Sequence, residues 1–411
     1  MINCFIPFLS LPQARQTVRA LGLCDRIKNI YLLATEKIPD EVEGCEMLMI
    51  DSPASTATFR TIALHADTAY TLLYTKYTAF EPGQFAFERL LAIAGDTNAG
   101  MLYADRYLLK NGNSQQAPVI DYQKGSLRDD FDFGSLLFFR SSVLKQAVRA
   151  MDADYRFAGL YDLRLRVSEL AELVHVNEYL YSEVETDIRK SGEKLFDYVD
   201  PKNRAVQIEM EAVCTAYLKR VGGYLAPDFE PVTFDAGGFE QEASVIIPVR
   251  NRIRTIEDAI RSVLAQKTTF RFNLIIVDNH STDGTSEAIG KYTADGRVVH
   301  LVPERSDLGI GGCWNVGVHH PACGKFAVQL DSDDVYSGPD TLQKIVDAFY
   351  EQNCAMVVGT YRMTDFKMNE IPPGIIDHRE WTLENGRNNA LRINGLGAPR
   401  AFYTPVLRRI N

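Results

Sequence analysis

Short apolar runs alternate with amphipathic stretches along this chain, and the alternation predicts strands and helices in turn. In the first half the runs at 2–7, 30–33, 47–50, 69–74 and 101–103 read as strands. Helices are predicted over about 12–23 and 82–94, and after the Ser-rich turn that follows residue 50. From Tyr155 to Tyr181 the pattern reads as a helix and a return strand. Strands separated by helices predict a mostly parallel sheet covered on both faces. A polar segment at 183–202 leads to a connecting helix at 203–221, where Val206, Met210, Val213, Tyr217 and Val221 recur at helical spacing. Gly222 and Gly223 stop it, and the stretch 225–241, with its prolines and glycines, reads as a linker.

The alternation then resumes, with strands predicted at 244–249, 272–277, 298–302, 326–330 and 355–359. Thr255 and Asp258 predict a capping box before a helix whose Ile256, Ala259, Ile260, Val263 and Leu264 form one apolar stripe. A short helix is predicted at 313–319, and Gly338-Pro339 predicts another with proline in its first turn. Polar residues collect after successive strands: Arg250 and Asn251, then Asp278, then Asp331, Asp333 and Asp334. In a doubly wound sheet such loops converge on one crevice. Asp331 and Asp333 lie two apart, so an extended backbone would point both the same way, and two such carboxylates can share one Mg²⁺-type cation. A solvated acidic turn explains most Asp pairs, but not the polar loops that precede this one.

At 411 residues the chain is too long for one ordinary core. The expected division is 1–195, a helical linker at 196–241, and 242–411. The net charge of −10 argues against nucleic-acid or general anionic-membrane binding while leaving room for a local basic patch. Seven cysteines without CxxC spacing predict reduced thiols and a cytoplasmic setting. The N-terminus has no basic segment leading into a long apolar one, and no run of eighteen apolar residues predicts a membrane span, which leaves peripheral association open.

Four runs carry a resemblance: SVIIPVRN at 244–251, VDNHSTDGT at 277–285, LGIGGCWN at 308–315 and LDSDD at 330–334. Together, in this order, they resemble the family 2 glycosyltransferases of the GT-A fold, closely over about 243–360 and more loosely to 411. The resemblance implies an α/β fold of two tandem GT-A-like, mostly parallel-sheet domains, the first degenerate and non-catalytic. It implies metal-dependent, inverting transfer from a nucleotide-diphosphate sugar, UDP favoured, to a saccharide or glycoconjugate acceptor. Pro248, Val249 and Asn251 would line the nucleotide pocket, with Asp278 on the base. Ser281, Asn315 and Ser332 would lie on the donor. Asp331 and Asp333 match the element that holds Mn²⁺ or Mg²⁺ on the diphosphate, and His378 would complete the metal shell.

Three departures stand out. Cys313-Trp314-Asn315 replaces the family's frequent Ala-Arg-Asn, so an aromatic face stands where a basic contact is common. The family's Glu-Asp element, which commonly carries the base, is expected beyond the 399–407 region, and the sequence ends at Asn411 before any such pair. Either the chain continues or the base lies elsewhere, with Asp365, Asp377 and Glu380 as the remaining carboxylates. Trp381 is a candidate for stacking on a sugar, and the Gly-rich run 394–400 resembles an acceptor-side loop.

The halves also resemble each other. The run 70–74 aligns with 326–330, Pro82-Gly83 with Gly338-Pro339, and 138–144 with 401–407. In the first half Thr75-Lys76-Tyr77-Thr78 stands where the acids should be, and Lys76 would neutralise a phosphate. A second transferase using Lys76 and Asp105 without metal is one rival reading. A nucleotide-sugar-binding module without transfer is another. A nucleotidyltransferase would need a Gly-rich first loop with a nearby Lys, which Pro248-Val249-Arg250-Asn251 is not.

Overall fold

The computed structural model describes residues 1–37, 40–110, 112–184, 203–235, 237–393, 395–397 and 399–410. Most of the polar segment predicted at 183–202 therefore lies outside the described residues, as do positions 394 and 398 of the Gly-rich run. The chain forms two compact units, Met1–Ala226 with Trp381–Asn394, and Pro227–Glu380 with Gly395–Asn411.

The first unit runs β1 (Ile2–Pro7), α1 (Leu11–Leu21), β2 (Ile27–Ala34), β3 (Glu46–Met49), α2 (Thr56–His65), β4 (Tyr70–Tyr74), β5 (Phe80–Pro82), α3 (Ala86–Thr97), β6 (Met101–Lys110), β7 (Asn113–Ala117), β8 (Leu136–Arg140), α4 (Ser141–Arg149), α5 (Gly159–Leu170), β9 (Leu173–Val184) and α6 (Arg204–Arg220). The sheet order is β3-β2-β1-β4-β8-β6-β9-β5, with β7 beside β6. Strand β1 is parallel to β2 and β4, while β8 is antiparallel to β4 and β6. Alternate residues of β1 feed separate cores, Cys4 and Ile6 one, Phe5 the other, as period-2 geometry requires. Pro82 closes a short strand instead of opening the following helix, because the next amide, Gly83 N, donates to Leu180 O of β9 (2.7 Å).

Helix α6, expected as a connector, is built into the first unit. Its Val213, Cys214, Tyr217 and Leu218 pack with Leu127, Ala158, Tyr161 and Leu165. Its Glu209 carboxylate accepts from the amides of Arg156, Phe157 and Ala158 just ahead of α5, where a helix start leaves donors unpaired.

The second unit runs β10 (Ala243–Val249), α7 (Ile256–Leu264), β11 (Phe272–Asp278), α8 (Thr285–Gly290), β12 (Val298–Leu301), α9 (Gly309–His319), β13 (Phe326–Gln329), α10 (Thr341–Gln352), β14 (Met356–Val358), β15 (Tyr361–Thr364) and β16 (Glu370–Ile376); after α11 (Gly386–Arg392), which belongs to the first unit, it closes with β17 (Arg400–Tyr403) and α12 (Thr404–Ile410). The main sheet is ordered β12-β11-β10-β13-β17-β14, and β15 and β16 form a separate hairpin. Strands β10 to β13 are mutually parallel where they pair, and β17 is antiparallel to β13 and β14. This repeats the first unit's β3-β2-β1-β4-β8-β6, including the single antiparallel strand in fifth place. The internal repeat is therefore a repeat of topology, and both units are α/β with a mostly parallel main sheet edge.

Two local expectations fail. Thr255 precedes α7 without any side-chain cap, and its buried Oγ1 has no partner, so the capping box is absent. Helix α10 starts at Thr341, leaving Pro339 outside it as part of the turn whose carbonyl accepts from Lys267 N (2.6 Å).

The segment Trp381–Asn394 is held in the first unit by polar contacts. Asn388 Nδ2 donates to Thr215 Oγ1 (2.9 Å), and Arg387 Nη2 to Tyr224 OH (3.0 Å). Arg392, 1% exposed, pairs with Asp129 and donates twice to Asn389 Oδ1. Removing one side of a buried pair costs roughly 3–5 kcal/mol. Arg392→Ala is therefore expected to destabilise the first unit by about that amount, read as an earlier urea midpoint by circular dichroism.

Candidate functional site

Strand β10 is the buried axis of the second unit, flanked by β11 and β13 with Val249 opposite Asp278 and Ile246 opposite Gln329. Parallel neighbours end on the same edge, so their following loops meet there. Direct bonds lace the first two loops. Asn251 N donates to Ser281 Oγ (2.9 Å), Thr282 N to Asn251 Oδ1 (2.8 Å), Arg252 N to Thr285 Oγ1 (2.8 Å) and Ile253 N to Asp283 Oδ2 (3.1 Å). Asn251 and His280 both adopt left-handed backbone, φ 54° and 56°. Asn accepts this conformation readily; for His280 it costs about 1–2 kcal/mol, offset by the surrounding bonds.

Asp278 ends β11 fully buried. Its Oδ1 accepts from Ser281 N (2.9 Å), its Oδ2 from Ser286 Oγ, and His300 Nε2 lies 3.6 Å from Oδ2. Burial works against ionisation here, yet His300, Ser286 and Ser281 more than offset it and hold the carboxyl well below the usual range. In this arrangement Asp278 organises its own loop. The motif Val277–Thr285 stops one residue short of Ser286, and His300 arrives from β12 through strand register, so neither was named from sequence.

The acidic run forms a turn, not an extended strand: β13 stops at Gln329, and Asp334 N donates to Asp331 O (3.1 Å). The extended-backbone argument for Asp331 and Asp333 thus gives way to turn geometry. Ser332 is buried in this turn. Arg252 Nε lies 3.9 Å from Asp333 Oδ2, tying the acidic turn to the loop after β10. Asp334 is pushed up to about 6 by desolvation of its carboxyl and by repulsion from Asp331 and Asp333.

Pro248 and Val249 are buried in β10, and Asn315 is exposed on α9, its carbonyl accepting from His319 Nδ1 (3.0 Å). Helix α9 lies tightly on β10: a Cβ on Gly317 would sit 2.6 Å from Ile246. Trp314 Nε1, Asn279 Oδ1 and His280 Nε2 are buried atoms without a hydrogen-bond partner. His378 is not gathered with the acids. Its Nε2 is engaged by Gly395 O, and among the described residues no three His, Cys, Asp or Glu side chains form a metal-binding group. Trp381 belongs to the first unit.

In the first unit the turn after β4 is filled. Lys76 Nζ pairs with Glu183 Oε1 (2.7 Å), which also accepts from Arg106 Nε (2.9 Å). Glu183 is fully buried and receives Ser135 Oγ as well. Lys76 is therefore spent on an internal carboxylate, not presented to a phosphate. Asp105, 1% exposed, accepts from Val119 N (2.8 Å) and contacts His175 Nε2 (2.9 Å).

A doubly wound α/β unit with polar loops and a carboxylate turn on one edge defines a nucleotide-binding class of fold. Residues 244–408 match the family model for glycosyl transferase family 2. This part of the chain is a family 2 glycosyltransferase domain. The chain is similar to a putative teichuronic acid biosynthesis glycosyltransferase, TuaG, of Bacillus subtilis, 33% identical over 120 residues, 29% of this chain and 46% of that one. It is also similar to an uncharacterized glycosyltransferase of Rickettsia conorii, 38% identical over 97 residues, 24% of this chain and 15% of that one. The chain thus spans under half the length of these relatives. Among solved structures, S. aureus TarS 1-349 in complex with UDP-GlcNAc aligns at 25% identity, TM-score 0.34, over 41% of this chain and 47% of that one.

The raised Asp334 gives a pH test. A carboxyl with an elevated folded pKa opposes stability when ionised, an effect absent below about pH 4 and complete above about 6. Asp334→Asn is expected to raise the thermal midpoint at pH 7 and leave it unchanged at pH 4, by scanning calorimetry at both pH values.

Proposed function

We propose that the second unit transfers a glycosyl group from a nucleotide-diphosphate sugar to an acceptor hydroxyl in polysaccharide or glycoconjugate assembly. The observation that carries this reading is the meeting of three strand-end loops, laced by Asn251, Ser281 and Thr282 and reaching Asp333 through Arg252. By family resemblance the nucleotide is a uridine diphosphate. Asn251, Ser281, Ser332 and Asn315 orient the donor against Pro248 and Val249, and Asp278, with its own oxygens bonded within the loop, holds that loop toward the base.

The acidic turn offers carboxylate oxygens, the ligand type a hard divalent cation takes, although Asp331, Asp333 and Asp334 do not converge as a ready three-ligand group among the described residues. Asp331 and Asp333 would hold Mn²⁺ or Mg²⁺, whose chemistry when bound is neutralisation of charge on the departing diphosphate. Arg252 keeps Asp333 placed and adds positive charge beside the leaving group. Inversion requires a carboxylate to take the acceptor proton. Asp365 closes its own turn on Lys367 N and Asn369 N, and Asp377 pairs with Arg379, so neither stands ready as that base. This favours, as a second reading, a module that binds the nucleotide sugar without transfer.

The first unit is read as non-catalytic, since its acid turn is replaced by the Lys76–Glu183 pair. All seven cysteines are free, which supports a reducing, cytoplasmic setting. No described helix is long and apolar enough to cross a membrane.

Asp331→Ala and Asp333→Ala are each expected to lower donor turnover by roughly 10²–10³-fold without unfolding the chain. Unchanged turnover in both variants overturns the assignment. Calorimetric binding of UDP with Mn²⁺ in a wild type that shows no turnover establishes the binding module instead.

A further inference from the structure

The hairpin formed by β15 and β16 stands apart from the main sheet and leaves several apolar residues exposed, chiefly at its tip. Phe366 is 77% exposed and Met368 63%, and Ile371 and Ile375 on the same hairpin are exposed as well. A monomeric protein rarely leaves such residues together in water unless something covers them. The tip also sorts its charges. Asp365 Oδ1 accepts from Lys367 N (2.8 Å) and Asn369 N (3.0 Å), so this acid is turned onto backbone amides. Glu370 is paired with Arg362. What remains outward is Phe366, Lys367 and Met368.

The loop after β10 continues this surface. The Arg254 guanidinium lies 5.5 Å from the Phe366 ring centroid, and Ile253 beside it is 41% exposed. Arg250, Arg252 and Arg254 follow at alternate positions and are all exposed. Among the described residues, Arg250, Arg254 and Lys367 show no carboxylate within ion-pair distance, while Arg252 faces Asp333. Two unpaired cations, Arg254 and Lys367, thus flank an apolar tip on a chain of net charge −10.

We propose that this face, Phe366, Lys367 and Met368 with Ile253 and Arg254, docks on an anionic lipid surface. The apolar tip would enter the headgroup boundary while the cations meet lipid phosphates, the pairing used by interfacial segments. Charge complementarity selects this occupant: a second copy of the chain would bring the same unpaired cations against their own kind.

The test is co-sedimentation of the full chain with phosphatidylcholine vesicles and with vesicles carrying about 30% phosphatidylglycerol, across a salt series. Expected is binding to the anionic vesicles that falls with salt. Lys367→Ala should weaken it roughly fivefold, and Phe366→Ser with Met368→Ser roughly tenfold or more. Since all three residues are exposed, unchanged thermal midpoints should accompany these losses. Wild type remaining in the supernatant, or binding as tight in the double variant, overturns the proposal. So does self-association of the free chain that the double variant abolishes, since the occupant would then be a second copy.

Discussion

The parallel pairing of β10 with β11 on one side and β13 on the other is the constraint from which the second unit's chemistry follows. All three strands are buried throughout, so their register is set by apolar side chains on both faces. Once that register is set, the polar residues after each strand have one edge to occupy. Arg252 near Asp333 and Asn251 on Ser281 are consequences of the sheet, made by residues that the chain separates widely.

The same strand order occurs in both units with opposite electrostatic outcomes. After β4 the loop is neutralised internally, with Glu183 buried among Lys76, Arg106 and Ser135. After β13 three carboxylates share a turn, with one nearby guanidinium to temper them. A buried polar cluster that is satisfied from within stabilises a fold and leaves nothing for a ligand. A cluster of like charges stores repulsion that a cation relieves. The two units share a strand order and differ in the charge of this turn.

Several details were not legible because they depend on partners remote in sequence. Pro82 reads as a helix start until β9 captures the amide of Gly83. Thr255 and Asp258 have capping-box spacing, yet Thr255 Oγ1 is buried without a partner. Asp278 reads as a ligand contact, while its low pKa is made by Ser286 and by His300 on the neighbouring strand. His378 has the right chemistry for a metal, but Gly395 O holds its Nε2.

Hydrophobic periodicity by itself determined the succession from β10 to β14 except for the short α8, though not the β15–β16 hairpin beyond it, and the four motif runs determined the family. Both are properties of residues close in sequence, where spacing is a direct record of geometry. Tertiary structure alone decided that α6 and α11 belong to the first unit, that Lys76 is consumed by Glu183, and that Arg252 reaches Asp333. Those outcomes turn on which charged groups share a space after the chain has packed, and local spacing carries no information about that.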